Sequence, residues 1–330
     1  MRSGRAFLSV LVALGLAPGT WVRAPEKPND LTSPVTVERL QVPPAMVGPL
    51  KLDGAWVLAS ENDLFGGWSG LAAWKDDDLL AISDNGRIMV FDKPDRSDAA
   101  PRLGVFPSTR GLEKRERDYE ALTWSPETNE LWVSVEGSNS IWRFATPPAF
   151  LGRRAPAEMR GWGVNSGGES LVRLPDGRFI AFREGSAGDG LHEALMFDSD
   201  PSKATAVTAF TLVGRAGFRP SDATLLPDGR LLIVLRKFHF AWPPRFTAQL
   251  VTADPARIEQ GKPLPTENVG TIEPPIPTDN FEGVTVTRET DGTTVVWLIS
   301  DDNFMRYQRT LLLKFTWVGS DRRNGKRAPE

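Results

Sequence analysis

Two carboxylates stand at matched ends of one short stretch, DYEALTWSPETNELWVSVEG, residues 118–137. Glu120 precedes the apolar run ALTW, and Glu136 follows the run LWVSV. A turn built from Pro126, Thr128 and Asn129 separates the runs, so pairing them as a hairpin sets both acids side by side at its open end. Like charges a few ångströms apart repel and raise one another's pKa. A cation offsets that cost, and hard oxygen donors without sulfur or abundant histidine favour calcium or magnesium. The stretch therefore predicts a divalent cation site, Ca²⁺ first among the candidates.

The same unit recurs four more times: SGLAAWKDDDLLAISD at 69–84, ESLVRLPDGRFIAFRE at 169–184, SDATLLPDGRLLIVLR at 221–236 and EGVTVTRETDGTTVVWLISD at 282–301. Acids at the start of a first run or the end of a second give the expected ligand set: Asp84, Glu120, Glu136, Glu169, Glu184, Glu282, Asp301 and Asp302, with Asp222 nearby. Any one of them, taken alone, reads as a solvated strand end; recurrence at one register is what argues for a site. In the fourth unit the PDG turn aligns Ser221 with Glu169 and Arg236 with Glu184, leaving Asp222 one place off and facing the other way. Cations thus interrupt the ring of acids. Arg183, Arg236, Lys237 and Arg87 are the expected basic partners of a small anionic substrate or ligand, against the plainer reading that each is ion-paired to a neighbouring acid.

The elements that must position these groups follow from the repeat. Asp176-Gly177, Asp228-Gly229 and Asp291-Gly292 supply tight hairpin turns. The flanking runs are almost continuously apolar, as in strands covered on both faces. A weaker third strand follows each hairpin (87–92, 140–145, 193–198, 247–252 and 310–315), and fourth strands fit LGVF, VTAFTLV and the Val269–Glu273 region. Four short strands repeated about every 50 residues, without helical periodicity, predict an all-β propeller. The direct count is five blades, with the last closed by an N-terminal strand from VTVERLQV or AWVLAS; six blades is the alternative if residues 35–65 form more of a blade, and a β-sandwich is the rival architecture.

The chain has 330 residues, a net charge of −3 and no cysteine. This balance argues against a nucleic-acid partner and excludes disulfides, thiolate metal sites and thiol nucleophiles. Arg2 and Arg5 ahead of an apolar run from Ala6 to Ala17 read as a signal peptide over 1–24, followed by a linker (25–34), the propeller domain (35–317) and a polar tail (318–330). A periplasmic or secreted protein with no membrane anchor after cleavage is the expectation. No G-x-S-x-G elbow, P-loop or H-E-x-x-H motif occurs, and His192 and His239 read as loop histidines. Trp68 and Trp162, in Gly-rich segments just ahead of first strands, are candidates to wall a ligand pocket.

Five motifs in order carry a family resemblance: GGWSGLAAW…LLAISDNGR, DYEALTWSP…LWVSVEGSNSIWRF, NSGGESLVRLPDGRFIAFREG, PSDATLLPDGRLLIVLRKF and NFEGVTVTRE…WLISDDNF. Together they resemble the "esterase-like activity of phytase" family across about residues 50–317. The resemblance implies an extracytoplasmic β-propeller, distantly similar to calcium-dependent propeller phytases with a metal-bridged phosphate site at one end. This sequence departs from the family's pattern at Arg236, where a glutamate usually precedes a basic residue. Three functions follow as expectations: a metal-dependent phosphate-ester hydrolase, a propeller that binds a ligand without turning it over, and an esterase or lactonase.

Overall fold

The computed structural model describes residues 30–106, 118–146, 148–163, 167–185, 188–241 and 244–318. The expected signal peptide lies outside these residues, as does nearly all of the polar tail.

Three strands open the described chain: β1 (Thr36–Arg39), β2 (Met46–Val47) and β3 (Leu50–Ala59). Blade I then comprises β4 (Trp68–Ala73), β5 (Leu79–Ser83), β6 (Arg87–Phe91) and β7 (Arg102–Val105). Blade II comprises β8 (Tyr119–Ser125), β9 (Glu130–Val135), β10 (Ser140–Ala145) and β11 (Ala149–Arg154). Blade III comprises β12 (Gly168–Arg173), β13 (Phe179–Arg183), β14 (Leu191–Phe197) and β15 (Val207–Val213). Blade IV holds β16 (Arg219–Leu225), β17 (Leu231–His239) and β18 (Arg245–Ala253). The chain then crosses back, adding β19 (Pro263–Pro265) parallel to β15, before β20 (Glu267–Ile272) completes blade IV. Blade V holds β21 (Asn280–Arg288), β22 (Thr294–Asp301) and β23 (Thr310–Trp317).

Among the described residues there are five sheets, as the repeat predicts. Both N-terminal stretches are used in closing the ring: β3 pairs with β23, and β1 pairs with the outer edge of β3. Residues 36–59 thus extend blade V and leave no sixth blade.

Local chemistry explains the hairpins. Gly177 and Gly229 sit at φ of +90° and +86°, which a side chain would resist. Before each, an aspartate accepts from the backbone N–H two residues on: Asp176 from Arg178 at 3.1 Å and Asp228 from Arg230 at 3.0 Å. The strands between the turns are buried because neighbouring blades cover them. One core cluster joins Ile180 and Phe182 of blade III to Ile233 and Leu235 of blade IV, and another joins Leu80 and Ile82 of blade I to Leu122 and Val133 of blade II. Each such side chain contributes roughly 1.5–3 kcal/mol.

Two expectations are corrected here. Trp68 and Trp162 are buried in inter-blade core rather than lining a pocket, Trp68 in a cluster with Trp297 and Ile299 and Trp162 in one with Ala121 and Leu171. His192 and His239 lie on strands β14 and β17, not in loops; His192 is buried, with Nδ1 3.0 Å from the Glu184 carbonyl.

One feature of the pairing was not legible as a pattern of residue types. Every first strand carries one extra residue at the same place, a β-bulge: Ser69, Glu120, Glu169, Ser221 and Glu282. A bulge bends the strand and re-aims the extra side chain.

Candidate metal centre at the channel mouth

The register stacks three rings of five residues at one mouth of the channel. The bulge ring is Ser69, Glu120, Glu169, Ser221 and Glu282. At the end of the second strands stand Asp84, Glu136, Glu184, Arg236 and Asp301, in the register read from the sequence. Opposite them on the first-strand side are Gly67, Asp118, Gly167, Arg219 and Asn280; the backbone N–H groups of Asp84, Glu136 and Glu184 donate to the carbonyls of Gly67, Asp118 and Gly167 at 2.8–3.0 Å.

The two serines at the bulge ring stitch blades together. Ser69 Oγ donates to the Tyr119 carbonyl at 2.5 Å, and Ser221 Oγ to the Phe281 carbonyl at 2.9 Å. Asp222, one place on, points away from the mouth as its register requires: it accepts from the N–H groups of Ala223 and, across to blade V, Val284 at 2.7 Å.

The carboxylates divide into three groups. Asp118, Glu120 and Glu136 each offer an oxygen within 4.8 Å of the others, the one such set among the described residues. Burial is the main cause holding the Glu120 carboxyl well above its usual range, although part of its surface remains open to the channel; Glu169 and Glu282 add to the shift. Burial likewise pushes Glu136 up to about 7, against an N–H from Gly167 at 2.9 Å and with Asp118 and Glu184 raising it further. The neighbouring Glu169 carboxyl offsets part of that rise. The Glu169 carboxyl is itself held well above its usual range, by burial first and then by the charge of Glu184.

The second group gathers around Arg236. Its Nη1 donates to Glu282 Oε1 at 2.7 Å and to Asn280 Oδ1 at 2.6 Å, and its Nη2 to Glu184 Oε1 at 3.1 Å. Burial opposes the charge on Arg236, but Glu282 and Glu184 outweigh it and raise its pKa. Arg219 Nη1 approaches the same Glu184 oxygen at 3.2 Å. The third group is Asp84, Asp301 and Asp302 between blades V and I. Burial raises Asp301, followed by Glu282, Asp84 and Asp302, while Asp302 Oδ1 accepts from the N–H of Gly67 at 3.2 Å.

Of the four expected cations, Arg236 enters the acid cluster. Arg183 pairs instead with Glu193 on β14, and Lys237 lies over the Phe218 ring at 5.7 Å. Arg87 opens β6, the third strand of its blade. Asp118, Arg219 and Asn280 were not anticipated. Asp118 had a signal: two residues before Glu120 in an extended chain, it shares that residue's side.

Three carboxyl oxygens this close, crowded by further acids, suit a hard divalent cation. Asp118, Glu120 and Glu136 are the residues that fit it.

Among the described residues no helix is long and apolar enough to cross a membrane. No curated protein matches the sequence. Similar solved structures include the PQQ-bound aldose sugar dehydrogenase of Streptomyces coelicolor (14% identity, 88% of this chain and 99% of that one, TM-score 0.47). Another is the gluconolactonase XC5397 of Xanthomonas campestris (11% identity, 84% and 99%, TM-score 0.40). A third is virginiamycin B lyase of Staphylococcus aureus (12% identity, 81% and 71%, TM-score 0.42). At TM-scores below 0.5 these likenesses carry no argument about function. The family model described as "Phytase-like: Esterase-like activity of phytase" matches residues 63–304, well over half the sequence and every first strand of the ring, and the chain belongs to that family.

Proposed function

We propose that this chain is an exported, divalent-cation-dependent hydrolase of phosphate esters, with its site at the acidic mouth of the channel. The observation that carries the reading is the Asp118–Glu120–Glu136 set, whose oxygens lie within 4.8 Å of one another, with the Glu169 carboxyl beside it. Asp118, Glu120 and Glu136 would hold the divalent cation, Ca²⁺ first, which would supply charge neutralisation and Lewis acidity there. The chain's own residues supply the rest. Glu169, whose carboxyl burial holds well above its usual range, is the general-acid candidate beside Glu136. Arg236 fixes Glu184 and Glu282. Arg219, with 45% of its side chain exposed, is the guanidinium best placed to meet an anionic oxygen arriving from solvent.

A specific observation favours a second reading, hydrolysis of a carboxylic ester or lactone. Arg236 is engaged by Glu184 and Glu282, and Arg183 and Lys237 by other partners, so fewer cations face an incoming phosphate than the sequence implies. Hydrolysis of p-nitrophenyl phosphate and p-nitrophenyl acetate, each with calcium and with chelator, separates the two. Phosphatase activity abolished by chelator and restored by calcium supports the first reading; acetate cleavage alone supports the second. A protein that cleaves neither, and whose melting temperature no divalent cation raises, is a ligand-binding propeller or performs other chemistry.

A further inference from the structure

The second strands of blades I, II and III end level with the channel mouth, at Ser83, Val135 and Arg183. Strand β17 does not. It continues past Arg236 through Lys237, Phe238 and His239, paired with Thr247, Phe246 and Arg245 of β18. At about 3.4 Å per residue, this ribbon stands roughly 10 Å above the mouth. Its apolar side chains pack on one another rather than into the blade: Phe238 lies 4.8 Å from Phe240 and 5.2 Å from Phe246. Phe240 is 97% exposed and Phe238 is 41% exposed. Exposed aromatics on a thin, projecting ribbon have no folding role that would hold them there, and such patches mark interaction surfaces.

Along the ribbon itself the charge has one sign. From Gly229 to Ala253 the sequence contains no acidic residue. Arg245 is exposed at the tip, while Arg215 and Lys237 flank the Phe218 ring at the root, at 5.0 and 5.7 Å. We propose that the tip of the β17–β18 ribbon docks on an anionic lipid bilayer, with Phe238 and Phe240 entering the headgroup layer and Arg245, Lys237 and Arg215 meeting lipid phosphates. Rings at the headgroup level with cations beside them are the arrangement that interfaces select. This inference is independent of the reaction at the channel mouth.

The test is co-sedimentation of the full chain with vesicles of phosphatidylcholine, alone or mixed with phosphatidylglycerol, comparing wild type with Phe240→Ser, Phe238→Ser/Phe240→Ser and Arg245→Glu. The N-terminal apolar run is common to all four proteins, so differences between them report the ribbon. Phe240 is so exposed that its serine variant should melt as the wild type does. The expected result is preferential binding to the phosphatidylglycerol vesicles, weakened at least about fivefold by Arg245→Glu, reduced by either serine variant and suppressed by high salt. Wild type and Phe240→Ser partitioning alike, or binding indifferent to phosphatidylglycerol, overturns the proposal. So does binding to poly-glutamate without binding to vesicles, which assigns the ribbon to an acidic macromolecule.

Discussion

Arg236 of blade IV reaches across to Glu184 of blade III, Nη2 to Oε1 at 3.1 Å, while its other terminal nitrogen holds Glu282 of blade V at 2.7 Å. One guanidinium thus bridges three of the five blades, and it stands where the register of the other blades places a carboxylate. A buried charge lost from one side of such a pair leaves its partners uncompensated. Arg236→Gln should cost about 3–5 kcal/mol of stability, read as a lowered denaturant midpoint. Adding Glu282→Gln should recover part of that loss, because the two changes remove both members of one pair. Equal and additive losses would mean that the contact does not carry the coupling.

Glutamine at position 120 keeps the side chain's size and removes one of three close carboxylates. At a calcium concentration one hundred times its dissociation constant, the wild type should gain about 2.7 kcal/mol. Glu120→Gln and Asp118→Asn should lose most of that gain, while their cation-free melting temperatures hold or rise. Glu193→Gln, whose residue pairs with Arg183 away from the set, should leave the calcium response intact. Melting curves with and without calcium check all three.

Glu136 predicts the pH dependence. Its pKa rises from 4.5 to about 7 on folding, through burial above all. The folded state therefore holds the proton more tightly than the unfolded state, and this contribution is most favourable below pH 4.5. Stability should fall as pH climbs from about 4.5 toward about 7, with Glu120 and Glu169 acting in the same direction. Saturating calcium competes with these protons and should flatten the fall. Chemical denaturation at several pH values, with calcium and with chelator, measures both slopes.

Gly67 stands at φ +69°, and a Cβ there would run into Asp84 Oδ1. Gly67→Ala should destabilise the protein by about 1–2 kcal/mol from backbone strain alone, with more from displacing Asp84. Because Asp84 belongs to the blade I–V group rather than to the Asp118 set, the calcium-induced shift in melting temperature should survive the substitution.

The architecture was legible because its signals are local. Asp-Gly turns between paired apolar runs state a hairpin wherever they occur, and five in order state a ring. The placement of Arg236 opposite Glu184 was legible from the same register. What sequence reading overstated was the number of cations at the mouth. Arg183 is adjacent to Glu184, and Lys237 to Arg236; successive residues of a strand point to opposite faces, so neither pair can enter one site together. The bulges were hidden for a different reason: an extra residue shows only in the pairing, and Ser, Glu, Glu, Ser and Glu share no composition that announces it. The ribbon beyond Arg236 was invisible to a reading that stopped each repeat at its last charge.

The closure of blade V also sets a schedule. Ala55 of β3 pairs with Leu313 of β23, more than 250 residues later, so the ring stays open until almost the whole chain has been made. Contacts so distant in sequence form late. Glu282 and Asp301 stand on the two strands inside β23, and Arg236 depends on Glu282 for its counter-charge. A nascent chain therefore carries Glu120 and Glu136 for most of its synthesis without the wall that encloses them. Ring closure brings Glu282 and Asp301 up to the acids of blades II and III only when the last strand arrives, so the mouth reaches its full charge density at the end of folding.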